Sequence, residues 1–268
     1  INTASIAMGR QTTASGENST AMGFQTKAIG LYSTAMGNNT EAREFKSTAM
    51  GDGTIASGVV STAMGSATTA SGNTSTAMGQ GTEASGDIST AMGQATTASG
   101  SVSTAMGYQT TASGNFSTVM GRNTTASGES STSMGAFTAA SGFNSTAIGR
   151  NTTASGNTST VMGEFTAASG SRSTAMGYYT TASDYASTVI GTYNSSGSTA
   201  TSATSFSTSA PAFVIGNGTD SFNRSDAFKV MFNGDATVSN DLTIEGSLIL
   251  GGESYTSFSG GGALSTVT

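Results

Sequence analysis

Small apolar, large apolar and hydroxyl-bearing residues alternate along this chain in a pattern that repeats every fourteen residues. Each repeat holds a run such as Ser-Thr-Ala-Met-Gly at residues 103–107 and a second run such as Thr-Thr-Ala-Ser-Gly at residues 110–114. The Ser that opens the first run recurs from Ser5 to Ser187 without an insertion or deletion. Two short β-compatible runs in fourteen residues suit one coil of a β-solenoid and are too short for a helix pair. The periodicity therefore predicts an all-β fold, a parallel β-roll of fourteen coils, roughly 65 to 70 Å long at strand spacing.

Alternation within the two runs assigns side chains to faces. We number the positions of each coil from its opening Ser, which is position 1. Position 9 holds Lys27, Glu41 and Glu83 in three coils, so it faces water and positions 8 and 10 point into the coil. If positions 1 and 3 also point inward, the interior is filled by Ser, Thr and Ala. The Thr at position 2 and the Met at position 4 then form a stripe on the outside.

Position 4 is Met in twelve coils and Ile at 148 and 190, so the outward stripe is apolar. Apolar patches of this size mark association surfaces, which favours an assembly of several chains. The alternative arrangement turns Met inward against Ala and gives a self-sufficient monomer. Burying a Met side chain contributes about 1.5 to 3 kcal/mol in either case. We also expect the glycines at positions 5 and 12 to sit where the backbone turns with positive φ.

The unit SxAxGxxTxAxG resembles the head repeat of trimeric autotransporter adhesins, the YadA-like head, over residues 1–194. The resemblance implies a homotrimer of left-handed β-rolls, with positions 2 and 4 around the threefold axis. The family usually has Val or Ile in these two columns, so the implied axis is softer here. Glu44 and Asp184 replace the Gly of position 12, and we expect their coils to bulge or turn differently. The implied trimer-interface residues are Met8, Met22, Met36, Met50, Met64, Met78, Met92, Met106, Met120, Met134, Ile148, Met162, Met176 and Ile190.

The periodicity ends near residue 194, which divides the chain into three predicted segments. Residues 1–194 form the YadA-like head, residues 195–210 a flexible or loosely packed Ser/Thr-rich linker, and residues 211–268 a small β-rich connector. The pieces FVIGNG, RSDAFKV and FNGDATV resemble the connector that follows such heads in phage tail-fibre and bacterial surface proteins. Alternation in AFKVMF and in LTIEGSLIL predicts strands, and Asn233 with Gly234 predicts a hairpin turn.

The composition excludes most active-site chemistry. The 268 residues include no His and no Cys, so the usual catalytic triads and zinc sites cannot form. The acidic residues are spread along a rod, and the pair considered for chemistry, Asp220 and Asp226, flanks the connector. We therefore predict no enzyme activity, no catalytic residue, no metal and no cofactor. The net charge of −6 argues against a nucleic-acid partner, and no run of eighteen apolar residues is present to insert into a membrane.

The variable turn positions are where recognition of a partner is expected, because the invariant columns build the rod. Most aromatic residues of the repeat lie there, and exposed aromatic side chains are enriched at binding surfaces. Any one of them can instead pack between chains or coils, which is the more frequent outcome for a single residue. The candidate partner-binding residues are Phe24, Tyr32, Tyr108, Phe116, Phe137, Phe143, Phe165, Tyr178 and Tyr179.

These features predict a non-catalytic trimeric adhesin, outside the cell on a cell or virion surface, that binds a host-surface glycan or matrix protein multivalently. The first alternative is a structural filament or spacer whose lateral surface is inert. The second is an ice-binding solenoid that uses the outward Thr and Ser lattice of positions 9 and 11. This lattice is uninterrupted from Thr97 to Ser155 apart from Ala139.

Overall fold

The computed structural model describes residues 4–243, 248–250 and 253–255, and the regular structure of these residues is all β. A first sheet takes positions 2–6 of every coil. Its strands are β1 (Ile6–Arg10), β3 (Thr20–Phe24), β5 (Thr34–Asn38), β7 (Thr48–Asp52), β9 (Thr62–Ser66), β11 (Thr76–Gln80), β13 (Thr90–Gln94), β15 (Thr104–Tyr108), β17 (Thr118–Arg122), β19 (Thr132–Ala136), β21 (Thr146–Arg150), β23 (Thr160–Glu164), β25 (Thr174–Tyr178) and β27 (Thr188–Thr192).

A second sheet takes positions 9 and 10. Its strands are β2 (Thr13–Ala14), β4 (Lys27–Ala28), β6 (Glu41–Ala42), β8 (Ile55–Ala56), β10 (Thr69–Ala70), β12 (Glu83–Ala84), β14 (Thr97–Ala98), β16 (Thr111–Ala112), β18 (Thr125–Ala126), β20 (Ala139–Ala140), β22 (Thr153–Ala154), β24 (Ala167–Ala168) and β26 (Thr181–Ala182). Both sheets are parallel, and each residue pairs with the same position of the next coil, as Met106 does with Met120. The predicted parallel β-roll is confirmed. It has about thirteen turns, because in the described chain the fourteenth coil contributes β27 and no second strand.

The interior is thin and filled by small side chains. Ala105 and Ala112, at positions 3 and 10, are fully buried, as are Ser103 and Thr110 at positions 1 and 8. Met106 is only half-buried on the outer face of the first sheet. The predicted faces are confirmed, and the alternative with Met inside is wrong. Facing columns of Ala, Ser and Thr leave no space between the sheets for a thioether side chain.

Two different constraints act on the two glycine columns. At position 5, Gly107 has φ +124°, and a Cβ there would lie 2.0 Å from the carbonyl oxygen of Gly121. At position 12, a Cβ on Gly114 would lie 2.0 Å from the carbonyl oxygen of Gly128, although its φ is not positive. The expectation of positive φ is thus wrong for position 12, where the close approach of successive coils favours Gly.

Left-handed backbone occurs instead at the variable positions 7 and 14. Gln109 has φ 52° and Phe116 has φ 57°, and the same holds in every described coil, mostly with residues other than Gly. These turn residues still extend the ladder, since the Gln109 N–H donates to the carbonyl oxygen of Gln94 at 2.9 Å. The coil therefore keeps nearly continuous hydrogen bonding to its neighbours through both turns.

The buried hydroxyl groups differ in whether they have a hydrogen-bond partner in the part of the chain described, and six Ser of position 1 have none: Ser33, Ser75, Ser89, Ser103, Ser145 and Ser159. At position 1, seven Ser side chains donate to the position 12 carbonyl of the preceding run, as Ser117 does to Gly114 at 2.6 Å. At position 8, eleven Thr hydroxyl oxygens, including that of Thr110, are buried without a partner in the described structure. Thr138 differs, because its Oγ1 lies 2.6 Å from Oγ of Ser133, which replaces Ala at position 3.

The coil of Glu44 does not bulge. Glu41 and Ala42 stay in register with Ile55 and Ala56 of the next coil, and the Glu44 side chain is exposed. The turn does differ locally, as expected. The Glu44 N–H donates to the Ser47 hydroxyl at 3.1 Å and lacks the bond that Gly58 N–H makes to the Ala70 carbonyl of the next coil at 3.2 Å.

Two side chains close the last coil of the second sheet. The Asn194 amide accepts from the Thr181 N–H at 2.8 Å and donates to the Thr181 carbonyl at 2.9 Å, so it takes the place of a peptide group of the next strand. Buried Asp184 accepts from the N–H groups of Thr201 and Ser202 at 2.5 and 2.6 Å. Residues of the 195–210 segment are thereby held across the end of the sheet. Asp184 thus anchors the segment that takes the place of the next coil, in keeping with the expectation of a different turn.

The first sheet continues past the repeat. Strand β28 (Pro211–Asn217) pairs in parallel with β27, so Val214 extends the buried position 3 column and Ile215 extends the position 4 column. Strands β29 (Asp226–Met231) and β30 (Ala236–Val238) follow in antiparallel order and confirm the predicted hairpin. Of the predicted strand LTIEGSLIL, residues 244–247 lie outside the described residues. Residues Leu248–Leu250 form β31, which pairs with β32 (Glu253–Tyr255). Among the described residues, no helix is long and apolar enough to cross a bilayer.

Candidate functional site

A continuous stripe runs along the outer face of the first sheet, made by positions 2 and 4 of all fourteen first strands. We call it the outer stripe. Each Met or Ile lies beside its counterpart in the next coil, and Phe213 and Ile215 of β28 prolong the two columns. Neighbouring coils leave most of these side chains half-buried, while Met8 and Met162 are 58% and 40% exposed. All fourteen predicted trimer-interface residues lie on this stripe. Their contact with other chains stays a prediction.

The candidate turn aromatics lie on two opposite edges of the roll. The 6–7 edge, where the first strand turns into the second, carries Phe24, Tyr108, Phe137, Phe165, Tyr178 and Tyr179. The 13–14 edge, where each coil passes to the next, carries Tyr32, Phe116 and Phe143. The structure therefore does not bring the nine residues into one surface. Whether they bind a partner stays a prediction.

On the 6–7 edge, three position 7 rings form a stack at the C-terminal end of the roll. Phe165 and Tyr179 have centroids 4.5 Å apart, and Tyr179 and Tyr193 have centroids 4.7 Å apart, with ring planes within 15°. The guanidinium of Arg150 lies 5.3 Å from the Phe165 centroid, and that of Arg224 lies 5.9 Å from the Tyr193 centroid. Desolvation, with smaller effects from Tyr178, Tyr179 and Asp220, raises the pKa of Tyr193 to about 12.

Arginine contacts to rings recur elsewhere on the roll. The guanidinium of Arg10 lies 5.2 Å from the Phe24 centroid, and that of Arg122 lies 5.0 Å from the Phe137 centroid. Such contacts contribute roughly 0.5 to 1 kcal/mol each at exposed sites. Our sequence reasoning missed them. The signal was present as an Arg at position 6 followed, one coil later, by an aromatic residue at position 6 or 7.

The 13–14 edge has more open aromatic side chains. Phe116 and Phe143 are 58% and 48% exposed. Asn side chains at position 13 tie adjacent coils together, since Oδ1 of Asn157 accepts from the Phe143 N–H at 3.2 Å. A groove of about 370 Å³ opens beside Asn157, where this edge meets the 195–210 segment.

Both acidic residues considered for chemistry have structural partners. Asp220 accepts from Asn223 and from the Phe222 N–H, and these hydrogen bonds lower its pKa. Asp226 accepts from the N–H groups of Ser195 and Ser196 at 2.8 and 2.9 Å. Their carboxylates hold the turn of 220–223 and the start of the 195–210 segment.

The repeat is recognised by comparison with known families. The family model for the YadA head domain repeat (2 copies) matches residues 2–26, 14–40, 28–54, 45–66, 56–82, 84–110, 98–124, 112–138, 140–163 and 168–194. The chain belongs to the YadA head family. The last matched segment of this YadA-type head ends at Asn194, whose side chain closes the second sheet. No curated protein matches the chain.

Membership of the YadA head family and the β-solenoid together identify an adhesin-like structural protein of a surface-exposed class. The family and fold are typical of non-catalytic adhesins. Heads of this family form trimers, which indicates self-association.

Proposed function

We propose that this YadA-type head is the rigid rod of a homotrimeric adhesin on a cell or virion surface, and that it attaches multivalently to a host-surface glycan or matrix protein. The outer stripe is the observation that supports the proposal. A stripe of Met, Ile and Thr that runs over fourteen strands favours burial against other copies. Three parallel rods that share this seam would display each turn edge three times, which strengthens weak individual contacts.

The proposal extends to the segments that follow the head. Residues 195–210 join the head to residues 211–268, which we take as a connector of the tail-fibre type. The antiparallel hairpin of β29 and β30, seated on the last parallel strand, supports this reading. It gives the rod a defined C-terminal end on which a stalk can be mounted.

The assembly is tested by the solution mass. Sedimentation equilibrium of the parent protein should give three protomers, and the pair Met106→Asp with Met120→Asp should dissociate or unfold it, because an unpaired charge in a packed seam is costly. The matched control is Thr111→Glu with Thr125→Glu on the opposite sheet, where Glu41 and Glu83 already occupy position 9. A parent mass of one protomer would refute the trimer.

Attachment is tested separately, by binding of the labelled trimer to host cells and glycan arrays. Binding that decreases when turn residues such as Phe116 and Phe143 are changed to Ala supports the adhesin. An intact trimer that binds nothing would instead support the inert spacer.

A second candidate function is favoured by the second sheet. Positions 9 and 11 point outward in strict register, so Thr and Ser from Thr97 to Ser155 form a flat lattice of hydroxyl and methyl groups, apart from Ala139. If this lattice orders water, the parent protein should show thermal hysteresis. The double variant Thr111→Lys with Thr125→Lys should lose it. Unchanged ice growth with the parent protein would exclude this candidate.

A further inference from the structure

At the C-terminal end of the 6–7 edge the aromatic ring faces are already occupied, so that end is poorly suited to stacking against a sugar. In the C-terminal stack, Phe165, Tyr179 and Tyr193 cover one another, and Arg150 and Arg224 cover the two outer faces. A saccharide needs a free aromatic face for its C–H surface. The 13–14 edge offers one at Phe143, which is 48% exposed and has no ring or cation contact in the described part of the chain.

A groove lies one coil beyond Phe143, whose N–H and carbonyl pair with Asn157 and Thr158 of the groove wall at 3.2 and 2.6 Å. Its walls come from two parts of the chain. It has a volume of about 370 Å³ and is lined by Asn157, Thr158, Ser171, Arg172, Tyr185 and Thr204. The Ser171 N–H donates to the Ala203 carbonyl at 2.8 Å, which fixes the returning segment as one wall. Among the repeat coils, the groove therefore forms only where the 195–210 segment folds back on the head.

The hydrogen bonds already made inside the groove leave mainly donors free. The Arg172 guanidinium lies 5.3 Å from the Tyr185 ring centroid and donates to the Tyr185 hydroxyl. It retains further N–H groups, because a guanidinium has five donors. Since Oδ1 of Asn157 accepts from the Phe143 N–H, the two Nδ2 protons of Asn157 remain. The Tyr185 hydroxyl accepts from Arg172 and can still donate its own proton.

The charge of the groove differs from that of the whole chain. The chain has a net charge of −6, yet the residues that line the groove include one Arg and no carboxylate. A fixed guanidinium with free parallel donors suits a carboxylate ligand. The hydroxyl groups of Thr158, Ser171 and Thr204 can bond to a ligand that also carries several hydroxyl groups.

We propose that this groove binds a carboxylate-bearing saccharide, with its carboxylate on Arg172 and Asn157 and a sugar ring against Phe143. The inference rests on the proposed attachment to a surface glycan and names the class of sugar and the place where it binds. An acidic peptide would use the same guanidinium, but it would leave the hydroxyl groups and the aromatic face without partners.

The test is a titration of the full chain by saturation-transfer NMR. The acidic probe is 3′-sialyllactose, lactose is the neutral control, and hexaglutamate tests for an acidic peptide. We expect the parent to bind sialyllactose at least about tenfold more tightly than lactose, since a charge-assisted hydrogen bond is worth roughly 1.5 to 3 kcal/mol. Arg172→Gln should remove that difference, and Phe143→Ala should weaken both sugars. Arg150→Gln, on the opposite edge, should change neither.

Three results would overturn the groove assignment. They are equal affinity for the two sugars, unchanged affinity in Arg172→Gln with native circular dichroism, and hexaglutamate binding as tight as that of sialyllactose. The test is independent of the proposed function. Host-cell attachment without sialyllactose binding would reject the groove as a saccharide site and leave the adhesin function supported. Sialyllactose binding without attachment to any surface would support the groove and reject the adhesin function.

Discussion

Replacing the buried Thr of position 8 with Val should stabilise one coil and destabilise another. In Thr110→Val, the lost hydroxyl is fully buried and has no hydrogen-bond partner. In Thr138→Val, the lost hydroxyl is the partner of Ser133 at 2.6 Å, and both residues are at most 2% exposed. Leaving a buried polar group without a partner costs about 1 to 3 kcal/mol.

The expected values follow from this difference. Thr110→Val removes an unpaired hydroxyl and should raise the free energy of unfolding by about 1 kcal/mol. Thr138→Val leaves the Ser133 hydroxyl unpaired and should lower it by about 1 to 3 kcal/mol. Adding Ser133→Ala to Thr138→Val restores the Ala column and should recover most of the loss. The two changes should therefore be coupled by more than about 0.5 kcal/mol in a double-mutant cycle.

The assay is thermal unfolding followed by far-ultraviolet circular dichroism. All variants are compared at one protomer concentration, because assembly makes the midpoint depend on concentration. For a chain of this size a change of 1 kcal/mol moves the midpoint by about 2 to 4 °C. Shifts of the same sign and size in Thr110→Val and Thr138→Val would refute the reasoning, since the two sites would then share one hydrogen-bonding state.

Three further predictions concern the turns and the C-terminal end. Gly107→Ala should lower the free energy of unfolding by more than about 3 kcal/mol or prevent folding, because its Cβ would lie 2.0 Å from a carbonyl oxygen. Gly81→Asn should change stability by less than about 1 kcal/mol, because Gly81 has φ +59° and no neighbour within 4 Å. Equal losses of the two variants in chemical denaturation would contradict this. Asn194→Ala should accelerate hydrogen exchange at the Thr181 amide and lower stability by about 1 to 3 kcal/mol. Asn194→Asp should cost at least as much, because its buried carboxylate would face the carbonyl oxygens of Thr181 and Ser196. Unchanged exchange would show that the amide does not close the sheet. Because the folded pKa of Tyr193 is about 12 and the ordinary value is 10, the contribution of Tyr193 to stability should be fully present below pH 10 and decline between pH 10 and 12. Tyr193→Phe should flatten this decline and remove the last step of tyrosinate absorbance. An unaltered absorbance titration in Tyr193→Phe would contradict the shift.

The repeat and its faces could be predicted because they depend on local alternation. Lys27 at position 9 was enough to orient the second strand, and the orientation of Met106 followed from the assignment of the inner columns. The pairing of β28 with β27 could also have been predicted, because the sequence FVIGN of β28 aligns with TVIGT of β27. We missed it because the fourteen-residue period ends after residue 194. The prediction of a trimer came from the family resemblance, because the fold of a single chain does not show how many chains assemble.

The missed features depend on contacts that alternation does not encode. Asn194 and Asp184 act through hydrogen bonds between their side chains and the backbone of another segment. The repeat pattern shows only that these residues depart from it, and it does not show what they bond to. Glu44 is accommodated by a local change in backbone hydrogen bonding, with its side chain in solvent, which a column of glycines cannot reveal. Rings covered by arginines, such as Phe165, require knowledge of which turn residues meet between coils.

The left-handed turns have a consequence for how the rod assembles. Two residues of each coil, including β-branched ones such as Val60 and Ile88 in a few coils, hold a backbone that costs roughly 1 to 2 kcal/mol per non-glycine residue. An isolated coil cannot offset this strain, while a coil added to an existing one gains a full set of ladder hydrogen bonds. We therefore expect refolding to start at the short-range hairpin β28–β30 and to advance coil by coil toward β1. Pulse-labelled hydrogen exchange should show protection appearing in that order, and protection that arises first at the β1 end would reverse the assigned direction of growth.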